Sequence, residues 1–247
     1  MEVAVLGLGE AGGRLAEDLA AAGCTVRGWD PAGTREGIVS ASSAPSAVRG
    51  ADVVLSVNAA AVALDAAQSV AASLAVDAVF ADLNTSSPAL KRELATAVPG
   101  LFADVALMGP VPVSGLGTPA LASGTGGERF AELFRPLGMP VEVVGAFPGD
   151  AAGFKLLRSV FLKGIAAAAI ESLEAARAAG AEERVRADLA SVIGEPLLER
   201  LLSGSRAHAA RRVDEMWAAA AYLEELGVDP RIASAAAEWL EQLREEG

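Results

Sequence analysis

The chain has 247 residues, enough for one large domain or two modest ones; 52% of them are hydrophobic and only 4% aromatic, which suits close-packed, alanine-rich helices. A formal net charge of −12 argues against nucleic acid and anionic membranes as partners, since both present phosphates that this chain would repel. With one cysteine and one histidine, an intramolecular disulfide is excluded and a Cys/His metal site is not expected.

Residues 2–6 (Glu-Val-Ala-Val-Leu) form a short apolar run, followed directly by Gly7-Leu8-Gly9-Glu10-Ala11-Gly12. A helical stretch over 14–22 comes next, then a second apolar segment over 25–29 that ends at Asp30. Strand, glycine turn, helix, strand and acid form the layout of a dinucleotide-binding βαβ unit. Gly7 makes the tight turn, Gly9 lets the backbone approach a pyrophosphate, and Gly12 lets the helix pack on the sheet. The helix N-terminus offers free N–H groups and a partial positive charge to the phosphates. Asp30, 23 residues after Gly7, is placed to accept hydrogen bonds from ribose hydroxyls and would repel a 2′-phosphate. NAD is therefore the expected cofactor, while Arg35 keeps NADP open.

Further strands are expected over 51–57, 76–82 and 101–108, with short ones near 120–123 and 140–144. Helices are expected over 62–74 and 88–97. The alternation implies a parallel, doubly wound sheet of the Rossmann type, with ligands beyond the strand C-termini. That rule draws attention to Val57 and Asn58, to Asn84 and Thr85, and to the 108–118 loop. From Gly149 the pattern is helical throughout: 150–179 with Asp150 as N-cap, then 181–202, 205–226 and 229–243. The reading is an α/β domain over 1–147 followed by an all-α substrate and dimerisation domain over 148–247. No targeting segment precedes the first strand. The longest apolar helical run, 164–170, lies between Lys163 and Glu171 and is too short to span a bilayer, so a cytoplasmic protein is expected.

Lys155 lies about one turn into the first long helix, with Ser159 and Lys163 on the same face. A lysine in a partly desolvated cleft has its pKa lowered, which suits it to proton transfer; a solvated lysine on an amphipathic helix is the alternative. His208 and the arginines Arg211 and Arg212 are candidates for a substrate carboxylate or phosphate, because a planar guanidinium holds two anionic oxygens at once. A solvated helix face is the other reading of His208.

Four stretches, in order, resemble the β-hydroxyacid dehydrogenase family, which includes 3-hydroxyisobutyrate and 6-phosphogluconate dehydrogenases. Residues 5–12 match its cofactor motif, with Ala11 where Met is usual. Asp82-Leu83-Asn84-Thr85-Ser86-Ser87-Pro88 resembles Asp-x-Ser-Thr-x-x-Pro, whose threonine lies by the nicotinamide. Residues 104–117, containing Pro112-Val113-Ser114-Gly115, resemble the substrate loop, with extra residues at 107–111. Residues 149–159 resemble the approach to the helix bearing the catalytic lysine. The resemblance implies cofactor contacts from Gly7, Leu8, Gly9, Glu10, Ala11, Gly12, Asp30, Val57, Asn58 and Thr85. It also implies catalysis by Lys155 with Ser159, which stands where the family has Asn, and substrate contacts from Ser114, Gly115, His208 and Arg212. The family's Lys-Asp-Leu motif is absent; residues 205–216 stand in its place. The likeness is greatest to a bacterial, phosphogluconate-dehydrogenase-like branch. The implied activity is NAD(P)-dependent hydride transfer on a small, anionic β-hydroxy acid by a homodimer. An imine reductase on the same scaffold and a non-catalytic nucleotide-binding regulator are the alternatives.

Overall fold

The computed structural model describes residues 1–245 apart from Thr34 and His208. The chain divides into two compact units, Met1–Lys155 and Leu156–Gly247.

Among the described residues of the first unit, eight strands form one sheet. They are β1 (Glu2–Leu6), β2 (Thr25–Trp29), β3 (Val39–Ser40), β4 (Val53–Ser56), β5 (Val79–Asp82), β6 (Leu101–Leu107), β7 (Ala120–Ser123) and β8 (Val141–Val143). Their spatial order is β3-β2-β1-β4-β5-β6-β7-β8. Strands β1 to β6 run parallel. The expectation of a parallel sheet fails at one edge, where β7 runs antiparallel to β6 and β8 follows β7. The connection 108–119 carries only a four-residue α-helix and a three-residue 3₁₀ turn, and a direct return of this kind reverses the strand rather than crossing over it.

The helices of this unit are α1 (Glu10–Ala21), α2 (Ala44–Val48), α3 (Ala60–Val70), α4 (Pro88–Ala97), α5 (Val111–Ser114) and α6 (Gly127–Phe134). Side chains alternate across the sheet, so both faces are buried. Val3 and Val5 join Leu15 and Leu19 of α1 and Phe130 and Phe134 of α6. Ala4 and Leu6 join Val48 of α2, Ala63 and Ala67 of α3, and Leu94 of α4. Burying each large side chain contributes about 1.5–3 kcal/mol.

One polar group lies inside this apolar frame. Lys91, on α4, is 1% exposed, and its Nζ donates to Asp82 Oδ2 at 2.6 Å and to the Asp82 carbonyl at 2.9 Å. It pairs with Asp104 Oδ1 at 3.1 Å. Asp82 closes β5 and Asp104 lies within β6; both carboxylates are fully buried. The second oxygen of Asp104 accepts from Ser123 Oγ at 3.2 Å and from the N–H groups of Gly149 and Ala152 at 3.1 and 2.9 Å. Asp104 thereby supplies the cap that the sequence assigned to Asp150 at the start of α7 (Asp150–Ala178). Asp150 instead accepts from the Phe147 N–H at 3.2 Å. A buried carboxylate already charged by Lys91 outcompetes a local one for these donors.

Beyond α7, the second unit contains α8 (Glu182–Ile193), α9 (Glu195–Ala207), α10 (Ala209–Glu225) and α11 (Arg231–Glu245). The single helix expected over 181–202 is broken at Gly194, whose φ of +85° no other residue adopts cheaply. Ser205, expected to open the next helix, therefore belongs to α9. The most extensive helix–helix contact is between α10 and α11. It closes over Met216 and over Ala219, Ala220, Ala233, Ala236 and Ala237, whose small side chains permit close approach. Trp239, partly buried against this cluster, donates its indole N–H to Glu171 at 3.0 Å, while Trp217 is exposed and donates to Glu241 at 2.9 Å.

Lys91→Met leaves two buried carboxylates unpaired, which costs about 3–5 kcal/mol and is read as a fall in denaturation midpoint. Burial opposes the Lys91 charge, but Asp82 and Asp104 outweigh it and hold the ammonium above the ordinary lysine value. A folded pKa above the unfolded one gives stability that is complete below about pH 10.4 and lost as pH rises through the folded value. An alkaline fall in stability present in the native chain and absent from Lys91→Met is the expected outcome.

Candidate cofactor and active site

The glycine turn after β1 fits a dinucleotide through the space its side chains leave. Gly7 has φ +98°, and a Cβ there would stand 2.2 Å from the Val57 carbonyl oxygen. A Cβ on Gly12 would stand 2.0 Å from the Gly7 carbonyl oxygen, whereas one on Gly9 would meet nothing within 4 Å. Gly7 and Gly12 thus close the turn on itself, and Gly9 leaves open the side from which a pyrophosphate approaches. Gly9 is also the N-cap of α1 and supplies no side-chain cap. The first-turn N–H groups of Glu10, Ala11 and Gly12 have no intrahelical acceptor and remain for phosphate oxygens.

Asp30 is held beside this turn. Its Oδ2 accepts from the buried Leu8 N–H at 2.6 Å and its Oδ1 from the Ala32 N–H at 2.8 Å. Each oxygen retains a lone pair for a ribose hydroxyl. Arg35 reaches back across the turn: its Nη1 lies 3.4 Å from the carbonyls of Leu8 and Gly9, and its Nε donates to Glu17 at 2.7 Å. The cation that would welcome a 2′-phosphate is therefore already paired with a carboxylate.

The ends of β4 and β5 carry a second cluster. Val57 continues β4 by donating to the Leu6 carbonyl at 2.8 Å, and its own carbonyl backs Gly7. Asn84 Nδ2 donates to Asn58 Oδ1 at 2.9 Å, to Asp82 Oδ1 at 2.5 Å and to Ser56 Oγ at 3.3 Å. Asn58 also donates to Ser56 Oγ at 3.3 Å. Lys155 Nζ donates to Thr85 Oγ1 at 2.7 Å, across 70 residues of sequence. The structure thus brings together Lys155 and Thr85, and sets Asn58 against Asn84. Lys91 and Asp104 were not among the expected site residues, and Asn84 was singled out only by its place after β5. Lys91 stands on a helix and Asp104 within a strand, so position after a strand end marked neither.

Ser114 and Gly115 lie in a different setting from the residues above. Ser114 is exposed on α5. Gly115 has φ +51°, and a Cβ there would overlap the Asp18 carboxylate of α1 at 1.7 Å. Asp18 accepts from the Leu116 N–H at 2.9 Å, and Arg14 donates to the Pro112 carbonyl at 3.1 Å and to Asp18 at 2.9 Å. The loop is therefore pinned to the helix that opens at the glycine turn.

In the second unit, Ser159 donates in a short hydrogen bond to Glu215, which also accepts from Lys163 at 2.6 Å. Lys163 donates to Ser159 Oγ at 3.0 Å as well. Burial lowers the Lys163 pKa, against the pull of Glu215 and with Arg212 and Arg158 adding to the fall. Burial likewise lowers the Arg212 pKa, opposed by Glu215 and aided by Arg211. Arg212 donates to Ser205 Oγ at 2.9 Å. His208 lies outside the described residues. Among the described residues, no cluster of His, Cys, Asp and Glu is arranged to hold a metal ion, and no helix is long and apolar enough to cross a membrane.

Residues 2–131 match the family described as the NAD binding domain of 6-phosphogluconate dehydrogenase, and residues 176–243 match a domain of unknown function, DUF1932. The conserved protein MTH1747, described as structurally similar to 3-hydroxyacid dehydrogenases, is 30% identical. That match covers 99% of this chain and 97% of that one, with a TM-score of 0.79. A 3-hydroxyisobutyrate dehydrogenase of Mycobacterium tuberculosis shares the fold at 22% identity, covering 97% of this chain and 92% of that one, with a TM-score of 0.81. An uncharacterised 28.5 kDa protein of Methanothermus fervidus is 27% identical over 68% of this chain, and the match spans 66% of that protein's own length. The glycine turn that the structure builds for a dinucleotide is also the region the cofactor-domain family covers, and the chain belongs to the β-hydroxyacid dehydrogenase family, with an NAD-binding domain of the 6-phosphogluconate dehydrogenase type.

Proposed function

We propose that this chain is an NAD(P)-dependent oxidoreductase acting on a small β-hydroxy acid or the corresponding carbonyl compound. The observation that carries the reading is the 2.7 Å bond from Lys155 Nζ to Thr85 Oγ1 at the carboxyl end of β5. Ligands of open α/β sheets gather at that end, and a lysine fixed there by a neutral hydroxyl is placed to move a proton.

The nicotinamide dinucleotide, when bound, supplies the hydride donor or acceptor. The chain's own residues do the rest. Residues 7–12 hold the pyrophosphate, and Asp30 accepts from the ribose hydroxyls. Asn58, steadied by Asn84, and Thr85 orient the nicotinamide end. Lys155 takes the proton from the substrate hydroxyl in oxidation and returns it in reduction. Ser114 and Gly115 of the first unit, and Ser159, His208 and Arg212 of the second, are the further residues that the family resemblance assigns to the substrate. In the second unit Phe161, Val192 and Ile232 are 67%, 80% and 59% exposed, which supports a homodimer through its helices.

Turnover of a panel of β-hydroxy acids, keto acids and cyclic imines with NADH tests the reaction class. Turnover of cyclic imines alone would favour the imine reductase, and binding without any turnover the regulator. Lys155→Ala is expected to lower kcat by about 10²–10⁴-fold, the usual contribution of a general acid–base, with NADH affinity nearly unchanged. Full activity in that variant would contradict the role of Lys155. Asp30→Ser is expected to weaken NADH by about tenfold and NADPH by less, as read by nicotinamide fluorescence titration. An unchanged preference between the two nucleotides would remove Asp30 from the ribose site.

A further inference from the structure

Beside the glycine turn of the first unit a cation is held next to the ribose carboxylate rather than on it. Leu8 separates the two. Its N–H donates to Asp30 Oδ2 at 2.6 Å, while its carbonyl lies 3.4 Å from Arg35 Nη1. The same Nη1 lies 3.4 Å from the Gly9 carbonyl, and Arg35 Nε donates to Glu17 Oε1 of α1 at 2.7 Å. The carbonyl contacts are long and neutral, so the ion pair is the strongest of these holds on the guanidinium.

Gly13 admits the arginine to this place. A Cβ on Gly13, inside α1, would stand 2.2 Å from Arg35 Nη1 and 2.5 Å from its Nε. The clash is with the far end of a flexible side chain, so alanine there keeps the helix and moves the guanidinium. Glycine is a poorer helix former than alanine, yet it is the residue that opens the flank of α1 to Arg35.

The charges decide which nucleotide gains. Asp30 and Glu17 bring two negative charges to the turn and Arg35 one positive charge. A 2′-phosphate adds up to about two further negative charges beside Asp30. It is accommodated only when a guanidinium turns toward it, and Glu17 keeps that guanidinium on the helix flank.

We propose that Glu17 sets the nucleotide preference of this domain: it is a positioning residue that withholds Arg35 from the 2′-phosphate of NADPH and so favours NADH. This rests on the glycine turn as a dinucleotide site and deepens that reading. The pair is partly exposed, at 34% for Arg35 and 45% for Glu17, and such pairs hold weakly. The discrimination is therefore graded. NADPH can draw Arg35 away from Glu17 at a modest cost, whereas NADH carries no group that would do so. The two carboxylates have different tasks: Asp30 receives the ribose hydroxyls, and Glu17 keeps the cation from serving the phosphate.

The test is fluorescence titration of the full chain with NADH and NADPH, in the native protein, Glu17→Gln, Gly13→Ala, Arg35→Gln and the Glu17→Gln/Arg35→Gln double variant. Glu17→Gln should tighten NADPH about threefold, the worth of an exposed ion pair, with NADH nearly unchanged. Gly13→Ala keeps every charge and should shift the preference in the same direction by displacing the guanidinium. In the Arg35→Gln background the gain from Glu17→Gln should all but vanish, because no cation is left to release. An equal gain with and without Arg35 would show Glu17 acting as a bare charge and would overturn the proposal. A preference unmoved in both Glu17→Gln and Gly13→Ala would overturn it as well, since a pair that only pins the connection after β2 to α1 gives that result. NADH binding by the native chain keeps the cofactor reading standing in either event, whereas no binding of either nucleotide would overturn both.

Discussion

The first unit depends on one buried ammonium. Lys91 lies between the carboxylates of Asp82 and Asp104 at 2.6 and 3.1 Å, and all three side chains are almost wholly removed from water. Such a group is stable only when its charge is paired and hydrogen-bonded. The matching reaches outward in two directions. Asp82 Oδ1 accepts from Asn84, which in turn donates to Asn58; Asp104 Oδ2 caps the first turn of α7 and thereby sets where Lys155 begins its turn of helix. The polar ends of β4 and β5 and the start of the helix that bears the lysine are thus referred to one point.

This arrangement gives the apolar sheet a fixed polar edge. Parallel strands buried on both faces leave little freedom within the layers, so function concentrates where the strands stop. The glycine turn after β1 provides backbone donors, Asp30 a carboxylate, and the β5 end a hydroxyl already bonded to Lys155. The rigid element comes first and the chemistry is added at its end.

Much of this was legible in the residues. The glycine spacing, the acid at the end of β2 and the alternation of strands and helices each follow from local rules, and the structure builds the turn those rules describe. Lys155 was visible by its place after Gly149 and Gly153, but its partner Thr85 lies 70 residues away and only the sheet brings them together. The cap of α7 was misread for the same reason. Asp150 is the local candidate for α7, yet Asp104 does the work from a neighbouring strand. The reversal of β7 and the break at Gly194 were missed because periodicity describes each segment by itself and says nothing of how consecutive segments meet. Lys91 gave no signal, since a lysine on an amphipathic helix is nearly always solvated.

Titration of the unaltered chain with NADH and NADPH, followed by nicotinamide fluorescence, is the most direct test of the central claim that the glycine turn and Asp30 form a working dinucleotide site. Saturable binding of one NADH per chain, tighter than NADPH, is the predicted result. No saturable binding of either nucleotide would contradict it.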